Sequence, residues 1–184
     1  MNNIRNEKVK PLVQKILNLF KVSDYNSVID QCKRYLKTYP EYLILYNLLG
    51  SSYIRIGKYV LAKKVFSDAL KKDPRNISLM NNLGNVEKYL YNFNEAEKLF
   101  KKIIEKDPKY LNVYVNYGNL KRDLNKFNDS NGLYKKALEL DKKHPIVLYS
   151  LAMNFQSLGD FRLSIEYAYR VLEVDPSFTK ADLL

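Results

Sequence analysis

Cysteine, histidine and tryptophan are nearly absent from this chain, and their scarcity excludes several kinds of protein. The 184 residues include one cysteine, one histidine and no tryptophan. Because one cysteine cannot form an internal disulfide, a disulfide scaffold is excluded. Cys32 and His144 together cannot supply the four ligands of a usual Cys/His zinc site. We therefore expect no metal site and no cofactor.

Long apolar runs are also missing. No stretch approaches the roughly 18 uninterrupted apolar residues of a membrane span, and residues 1–8 carry no apolar segment of signal-peptide length. With 46% hydrophobic and 28% charged residues, six glycines and six prolines, the composition is typical of a folded chain. The length suits one domain. We predict a soluble, cytoplasmic protein.

What the chain does contain is an internal period of 34 residues. Pro40, Pro74 and Pro108 lie 34 residues apart, and Pro176 resumes this phase after Lys142 interrupts it. The same step relates the aspartates Asp73, Asp107, Asp141 and Asp175, the small residues Gly50, Gly84, Gly118 and Ala152, and the aromatics Tyr25, Tyr59, Phe93, Phe127 and Phe161. The period predicts a tail at 1–8, repeats at 9–42, 43–76, 77–110, 111–144 and 145–178, and the start of a capping or further helix at 179–184.

Each cycle reads as two helices, because its apolar residues follow three- and four-residue spacing. Gly57, Asn125 and Gly159 stand between the two helices and tolerate the left-handed backbone of a tight turn. Asp-Pro pairs end the second helix, since proline disfavours helical geometry in the residue before it. Gly50 would let the paired helices approach closely, beside the large ring of Phe66.

These positions resemble the signature of the tetratricopeptide repeat family. In the second repeat the matching residues are Tyr46, Leu49, Gly50, Tyr53, Ala62, Phe66, Ala69 and Pro74, and the pattern echoes through residues 9–178. The resemblance implies an all-α, right-handed α-α superhelix, a solenoid of five helix-turn-helix repeats. The first repeat is degenerate, with Ile16 in place of the small residue and Cys32 within the second helix, so we expect it to cap the stack.

The resemblance also implies a function, because repeat solenoids present an extended concave surface to partners. In this family the first helix of each hairpin lines that concave groove. The matching positions predict a peptide-binding groove of Asn47, Ser51, Arg55, Asn81, Asn82, Asn85, Lys88, Tyr89, Asn112, Asn116, Asn119, Arg122, Tyr149, Met153 and Gln156. We predict a scaffold that docks an extended peptide or helix there.

Asparagine is frequent in this groove, and its amide can both donate to and accept from a peptide backbone. Asn82 and Asn116 resemble the asparagine ladder in the repeat superhelix of O-GlcNAc transferases, which grips peptide backbone. Leu48 and Ser150 occupy the neighbouring ladder positions, so the ladder is short. The alternative is compositional, since the whole chain is rich in asparagine and this residue is common near solvated helix faces.

Two other kinds of partner fit the sequence less well. A carboxylate clamp for chaperone tails needs basic residues where this chain has Asn81, Ile146 and Ser150. The net charge of +11 raises nucleic acid as a partner. However, the basic pairs lie late in the second helices, on the expected outer surface: Lys33-Arg34, Lys71-Lys72, Lys101-Lys102 and Lys135-Lys136. Only a non-specific attraction to acidic partners or anionic lipid remains.

Catalytic motifs are lacking, so we predict that this chain is not an enzyme. It has no glycine-rich phosphate loop, paired-histidine motif or Gly-x-Ser-x-Gly elbow. His144 precedes Pro145 in an expected turn, and Cys32 occupies a packing position.

Two alternative functions stay open, because the outer face of the last hairpin, with Ile165 and Tyr169, would be only partly covered. By analogy with similar bacterial chains, the repeats could form the substrate-recognition arm of a longer sulfotransferase or glycosyltransferase. Alternatively, the exposed face could pair with another copy.

Overall fold

The fold, seen in a computed structural model that describes the backbone of residues 2–178 and the side chains of residues 9–178, is all-helical. Within that range the helices are α1 (Asn2–Lys21), α2 (Tyr25–Thr38), α3 (Leu43–Arg55), α4 (Tyr59–Lys72), α5 (Ile77–Tyr89), α6 (Phe93–Lys106), α7 (Leu111–Asp123), α8 (Phe127–Leu140), α9 (Pro145–Ser157) and α10 (Phe161–Val174). From α4 onward, every helix starts 34 residues after its counterpart in the preceding repeat. The predicted all-α fold of five helix-turn-helix repeats is confirmed.

The two ends of the chain differ in how they compare with the prediction. A tail was the expectation for residues 1–8, whereas the backbone of residues 2–8 belongs to α1. The helix expected to start at 179–184 lies outside the described residues.

Turns between the two helices of a repeat share one backbone conformation. Gly57 and Gly159 have φ of 73° and 78°, and Asn125 has φ of 56°, as their positions predict. In each turn the second residue after the helix bends the chain so that the next residues donate N–H groups back to the helix end, as Lys58 does to the Tyr53 carbonyl at 2.8 Å. The turn therefore needs a residue that tolerates positive φ.

In repeats two to five, the aspartate before the proline-phase position ends the second helix and shapes the following turn. Its backbone N–H still bonds into the last helical turn, while its side chain accepts the N–H two residues on. These side-chain acceptors and their donors are Asp73 with Arg75, Asp107 with Lys109, Asp141 with Lys143, and Asp175 with Ser177, at 3.0–3.2 Å. The recurring aspartate is thus explained by local hydrogen bonding.

The chain divides into two compact units, residues 1–96 and 97–184. In the first unit α3 packs against both α2 and α4, and α4 packs against α5. Ile16, Val28 and Cys32 of the degenerate first repeat are fully buried in the same core as Phe66. A Cβ atom at Gly50 would collide with the Phe66 ring, which confirms the predicted close approach.

The second unit repeats this packing with its own residues. α7 packs against α8, α8 against α9, and α9 against α10. A Cβ atom at Gly118 would lie 2.5 Å from Cε1 of Tyr134, a ring that is fully buried. In this unit, α7 and α8 therefore approach each other until the Tyr134 ring touches the backbone at Gly118.

Candidate functional site

The residues predicted to bind a partner all lie on the first helices of repeats two to five, namely α3, α5, α7 and α9. We call the side of these helices that carries them the first-helix face. Arg55, Tyr89 and Asn112 are exposed, and the other predicted residues except one are partly buried. The exception is Asn81, which is 4% exposed. Asn81 therefore offers almost no surface to a partner.

In the first unit, an amide pair joins α3 and α5 across this face. The Nδ2 of Asn82 donates to Oδ1 of Asn47 at 3.0 Å, and both side chains are partly buried. This bond uses one donor of Asn82 and one acceptor of Asn47, and an asparagine amide has two N–H donors and an acceptor oxygen with two lone pairs. Asn85 lies almost one helical turn further along the same face. The amides form a polar strip with further hydrogen-bonding capacity.

The end of α5 adds aromatic and basic groups to this strip. The Tyr89 ring stacks on the Tyr59 ring, with 4.8 Å between centroids and 12° between planes. The Nζ of Lys88 lies 4.9 Å from the centroid of the Tyr89 ring, within cation–π range. The first-helix face of this unit therefore passes from amides to an aromatic, positively charged margin.

In the second unit, Asn119 of α7 lies beside a buried tyrosine. The hydroxyl of Tyr134 donates to Oδ1 of Asn119 at 2.7 Å. Burial raises the pKa of Tyr134, so its hydroxyl stays protonated and remains a donor. Asn119 thus orients the ring that fills the space beside Gly118. Asn116 and Arg122 are partly buried on the same helix.

The positions that flank the two ladder asparagines cannot extend a ladder. Leu48 is buried and has no polar side-chain atom. Ser150 is also buried, and its hydroxyl donates to the backbone oxygen of Ile146 at 2.8 Å. The amides at ladder positions are therefore Asn82 and Asn116, one in each unit.

Ion pairs between successive repeats were missed by the sequence analysis. In the first unit, Lys63 on α4 lies 2.9 Å from Glu87 on α5, whose side chain is 6% exposed. In the second unit, Glu97 on α6 lies 2.9 Å from the buried Lys121 on α7. Lys63 and Glu97 are equivalent in the 34-residue period, as are Glu87 and Lys121. The sequence carries one signal of these ion pairs: at each of the two positions, a residue of one charge in one repeat is replaced by a residue of the opposite charge in the next.

Glu97 has the most perturbed carboxyl group among the residues with described side chains. Its oxygens accept from Lys101 at 2.8 Å, from Lys121 at 2.9 Å and from the Tyr117 hydroxyl at 2.7 Å. The hydrogen bond from Lys101, with those from Lys121 and Tyr117, lowers the pKa of Glu97 to about 2 although burial opposes it. Burial and the neighbouring carboxylate raise the pKa of Tyr117. This cluster joins helices and does not suit acid–base catalysis near neutral pH.

The single cysteine and the single histidine of the chain occupy structural positions. Burial raises the pKa of the Cys32 thiol to about 12, which makes it a poor nucleophile. His144 is partly buried and occupies the N-cap position of α9, in the predicted turn before Pro145. Among the residues described, no group of three or more His, Cys, Asp and Glu side chains is arranged to hold a metal. None of the described helices is long and apolar enough to cross a membrane.

Comparisons with known proteins agree with this architecture. Two sequence profiles, both described as "Tetratricopeptide repeat", match residues 77–106 and residues 44–76, 111–144 and 146–178. No curated protein matches the sequence significantly.

Solved structures of similar fold share few identical residues with the chain. A thermophilic TPR protein of Thermus thermophilus, TTC0263, has a TM-score of 0.85 at 17% identity, covering 95% of each chain. The pilF protein of Pseudomonas aeruginosa has a TM-score of 0.79 at 17% identity, covering 96% of this chain and 81% of its own. YrrB, described as "a TPR protein with an unusual peptide-binding site", has a TM-score of 0.64 at 17% identity, covering 99% and 95%. These identities support a shared fold only.

Proposed function

Since the chain belongs to the tetratricopeptide repeat family, whose members are in general protein-interaction scaffolds, we propose that its first-helix face binds an extended peptide. In the first unit the binding group is the amide of Asn82, supported by neighbouring polar side chains of α3 and α5, and in the second unit it is the amide of Asn116, supported by those of α7 and α9. In this proposal the peptide's backbone supplies the main hydrogen bonds.

The observation that carries the proposal is the amide pair between Asn47 and Asn82. Their 3.0 Å bond places two partly buried side chains of α3 and α5 next to each other, so that one partner can touch both helices. Both amides keep donor or acceptor capacity after that bond forms. An extended peptide carries one N–H and one C=O on most residues, and such groups pair with amides whatever the peptide's sequence.

Two further features support a peptide as the ligand. The face carries amides, hydroxyls and aromatic rings, which are the groups that adapt to polar backbone and enclose apolar side chains. YrrB, a protein of similar fold, is described as having an unusual peptide-binding site. That description concerns YrrB, and we carry over only the suggestion that this fold accommodates peptides.

A binding test should remove both ladder amides together. The probe is a phage-displayed library of random twelve-residue peptides, selected on the whole chain, and the enriched peptides are then synthesised for fluorescence anisotropy. We expect Asn82→Ala with Asn116→Ala to weaken their binding by tenfold or more, as loss of interface hot spots does. Circular dichroism at 222 nm should remain that of a helical protein.

The matched control is Asn26→Ala with Asn128→Ala. Both asparagines are exposed in the first turns of second helices, away from the first-helix face. The control pair should leave binding unchanged. If the ladder variant binds the selected peptides as tightly as the unaltered chain while remaining folded, the proposed role of the amides is wrong.

Self-association is a second candidate, favoured by one surface of α10. Phe161, Ile165 and Tyr169 recur every four residues, so they form one stripe, and each is more than half exposed. Sedimentation equilibrium at high concentration should then give about twice the 21.7 kDa of the chain, and Ile165→Glu should restore the single mass. A constant mass of one chain at all concentrations would exclude this candidate.

A further inference from the structure

The second helix of each repeat meets the first helix of the next repeat, and we call this contact a junction. The described residues contain four junctions: α2 packs against α3, α4 against α5 and α8 against α9, and side chains of α6 meet those of α7. One position of the second helix recurs at them with the 34-residue period. We call it the junction position, and its residues are Ile29, Lys63, Glu97, Asn131 and Ile165.

At the first and the last of the four junctions, this position carries no charge. Ile29 is 6% exposed in the apolar core of the first unit, which also contains Tyr53 of α3. Asn131 accepts a hydrogen bond from Nδ2 of Asn154 on α9 at 2.8 Å. Asn154 is fully buried, so its amide needs a polar neighbour at this place. Apolar packing therefore characterises one junction, and an amide pair characterises the other.

The two middle junctions carry ion pairs of opposite order. Lys63 on α4 supplies the cation to its pair with Glu87 on α5, with 2.9 Å between Nζ and Oε1. Glu97 on α6 supplies the anion to its pair with Lys121 on α7, with 2.9 Å between Oε2 and Nζ. Each pair lies within one compact unit. From second helix to first helix, the order of the signs is therefore inverted between one junction and the next.

The charges on the first helices depend most on these partners. The Glu87 side chain is 6% exposed, compared with 43% for Lys63. The Lys121 side chain is 10% exposed, compared with 25% for Glu97. A buried ionised group without a counter-charge is strongly destabilising, and a hydrogen bond from a neutral amide such as Asn92 does not neutralise Glu87. Glu87 therefore needs a cation from the second helix packed against it, and Lys121 needs an anion.

Similar repeats create a risk of wrong pairing, since each second helix can meet several first helices of nearly the same shape. Repeat proteins characteristically fail through misassembly and exchange of elements between copies. If α4 packed against α7 of another copy, Lys63 would face the buried Lys121. If α6 packed against α5 of another copy in the place of α4, Glu97 would face the buried Glu87. Both wrong contacts oppose like charges, which is unfavourable.

We propose that the junction position orders the repeats, so that each second helix accepts the first helix that follows it in the chain and rejects the others. The inverted order of the two ion pairs is the observation that carries this proposal. Two pairs of the same order would stabilise both junctions equally, but they would also make the wrong contacts attractive. This ordering does not depend on whether the first-helix face binds a peptide.

The test exchanges the members of an ion pair without removing the pair. One variant is Lys63→Glu with Glu87→Lys, and another is Glu97→Lys with Lys121→Glu. We call them the uniform variants, because each gives the two middle junctions the same order of signs. The inverted variant combines all four substitutions, so its two junctions differ again and the wrong contacts oppose like charges once more.

The measurement is the fraction of chains that misassemble during refolding. Monomer of each whole chain is isolated by size exclusion and divided. One half is unfolded in urea and refolded at high protein concentration, and the other half stays native at that concentration, which measures association through native surfaces separately. Light scattering then gives the fraction of dimers and larger species that refolding adds. We expect this fraction to be about tenfold higher for the uniform variants than for the unaltered chain, and unchanged for the inverted variant.

A neutral variant keeps the test valid if a uniform variant does not fold. Glu97→Gln with Lys121→Met removes one pair, and replacing a buried ion pair by neutral side chains of similar volume often preserves stability. Lys63 then meets no cation at position 121, so misassembly should rise in this variant also. Circular dichroism and urea unfolding show whether each protein is helical and unfolds cooperatively.

Three results would overturn the proposal. If the uniform variants misassemble no more than the unaltered chain, the order of the signs does not select neighbours. If the inverted variant misassembles as often as the uniform variants, the individual residues matter and their alternation does not. If the neutral variant refolds as faithfully as the unaltered chain, like charges are not what excludes the wrong contacts.

Discussion

Two glycines of the second unit should respond in opposite ways to the same substitution. Gly118 lies inside α7, where a Cβ atom would sit 2.5 Å from Cε1 and 2.7 Å from Cδ1 of Tyr134. Gly132 lies inside α8, where a Cβ atom would meet nothing within 4 Å. Replacing either glycine by alanine adds one methyl group. This methyl group meets a steric conflict at position 118 and none at position 132.

The expected free energies follow from two effects of known size. Alanine is favoured over glycine inside a helix by about 1 kcal/mol, which acts in both variants. At Gly118 the methyl group also overpacks a ring that cannot retreat easily, because Tyr134 is buried and its hydroxyl is bonded to Asn119. Overpacking costs about 1–3 kcal/mol, occasionally more, and here we take the upper end. Gly118→Ala should therefore destabilise by about 2 kcal/mol, and Gly132→Ala should stabilise by about 1 kcal/mol.

Urea unfolding followed by circular dichroism measures both changes, and thermal unfolding checks their sign. At about 2–4 °C per kcal/mol for a chain of this size, Gly118→Ala should lower the melting temperature by about 4–8 °C, and Gly132→Ala should raise it by about 2–4 °C. Gly50→Ala tests the same contact in the first unit, against Phe66. If Gly118→Ala is neutral or stabilising, the close approach of ring and backbone does not constrain the repeat as argued.

Two further predictions concern ionisable groups. The pKa of Glu97 is lowered from 4.5 to about 2, so its contribution to stability is present above pH 4.5 and is lost as the pH falls toward 2. We expect Glu97→Gln to remove up to about 2 kcal/mol from the part of the unfolding free energy that depends on pH in this range, a value discounted for the partial exposure of the Glu97 side chain. If the unfolding free energies of the unaltered chain and of Glu97→Gln change in parallel between about pH 2 and 5, this prediction is wrong. The buried Cys32, with its pKa of about 12, should react with a disulfide reagent at about pH 8 only after denaturant unfolds the chain, and rapid modification of the native protein would show that its site opens.

The fold was predictable because its determinants repeat and act locally. Gly50 and Phe66 belong to one repeat, and so do the residues of the turn at Gly57. Each repeat thus carries the information for its own pair of helices, and five copies reinforce the same period. The prediction of residues 1–8 as a tail differs from the structure, since those residues lie before the first aligned repeat position and no period constrains them.

The candidate site was predictable only in part. The positions on α3, α5, α7 and α9 followed from the repeat phase, and whether they bind a peptide stays a prediction. The burial of Asn81 did not follow, although its neighbour Asn82 is partly exposed. Tyr91 did not follow either: its φ is 61°, at a turn position where glycine or asparagine is expected.

By itself, the sequence determined the fold class, the phase of the repeats and the positions of their turns, since small residues, rings and aspartates recur at one step and act on their own repeat. The tertiary structure alone decided which polar groups meet across helices. Glu97 joins Lys121, and Asn82 joins Asn47, from positions 24 and 35 residues apart. Their distances depend on how separate helices pack, which periodicity along a single chain does not specify.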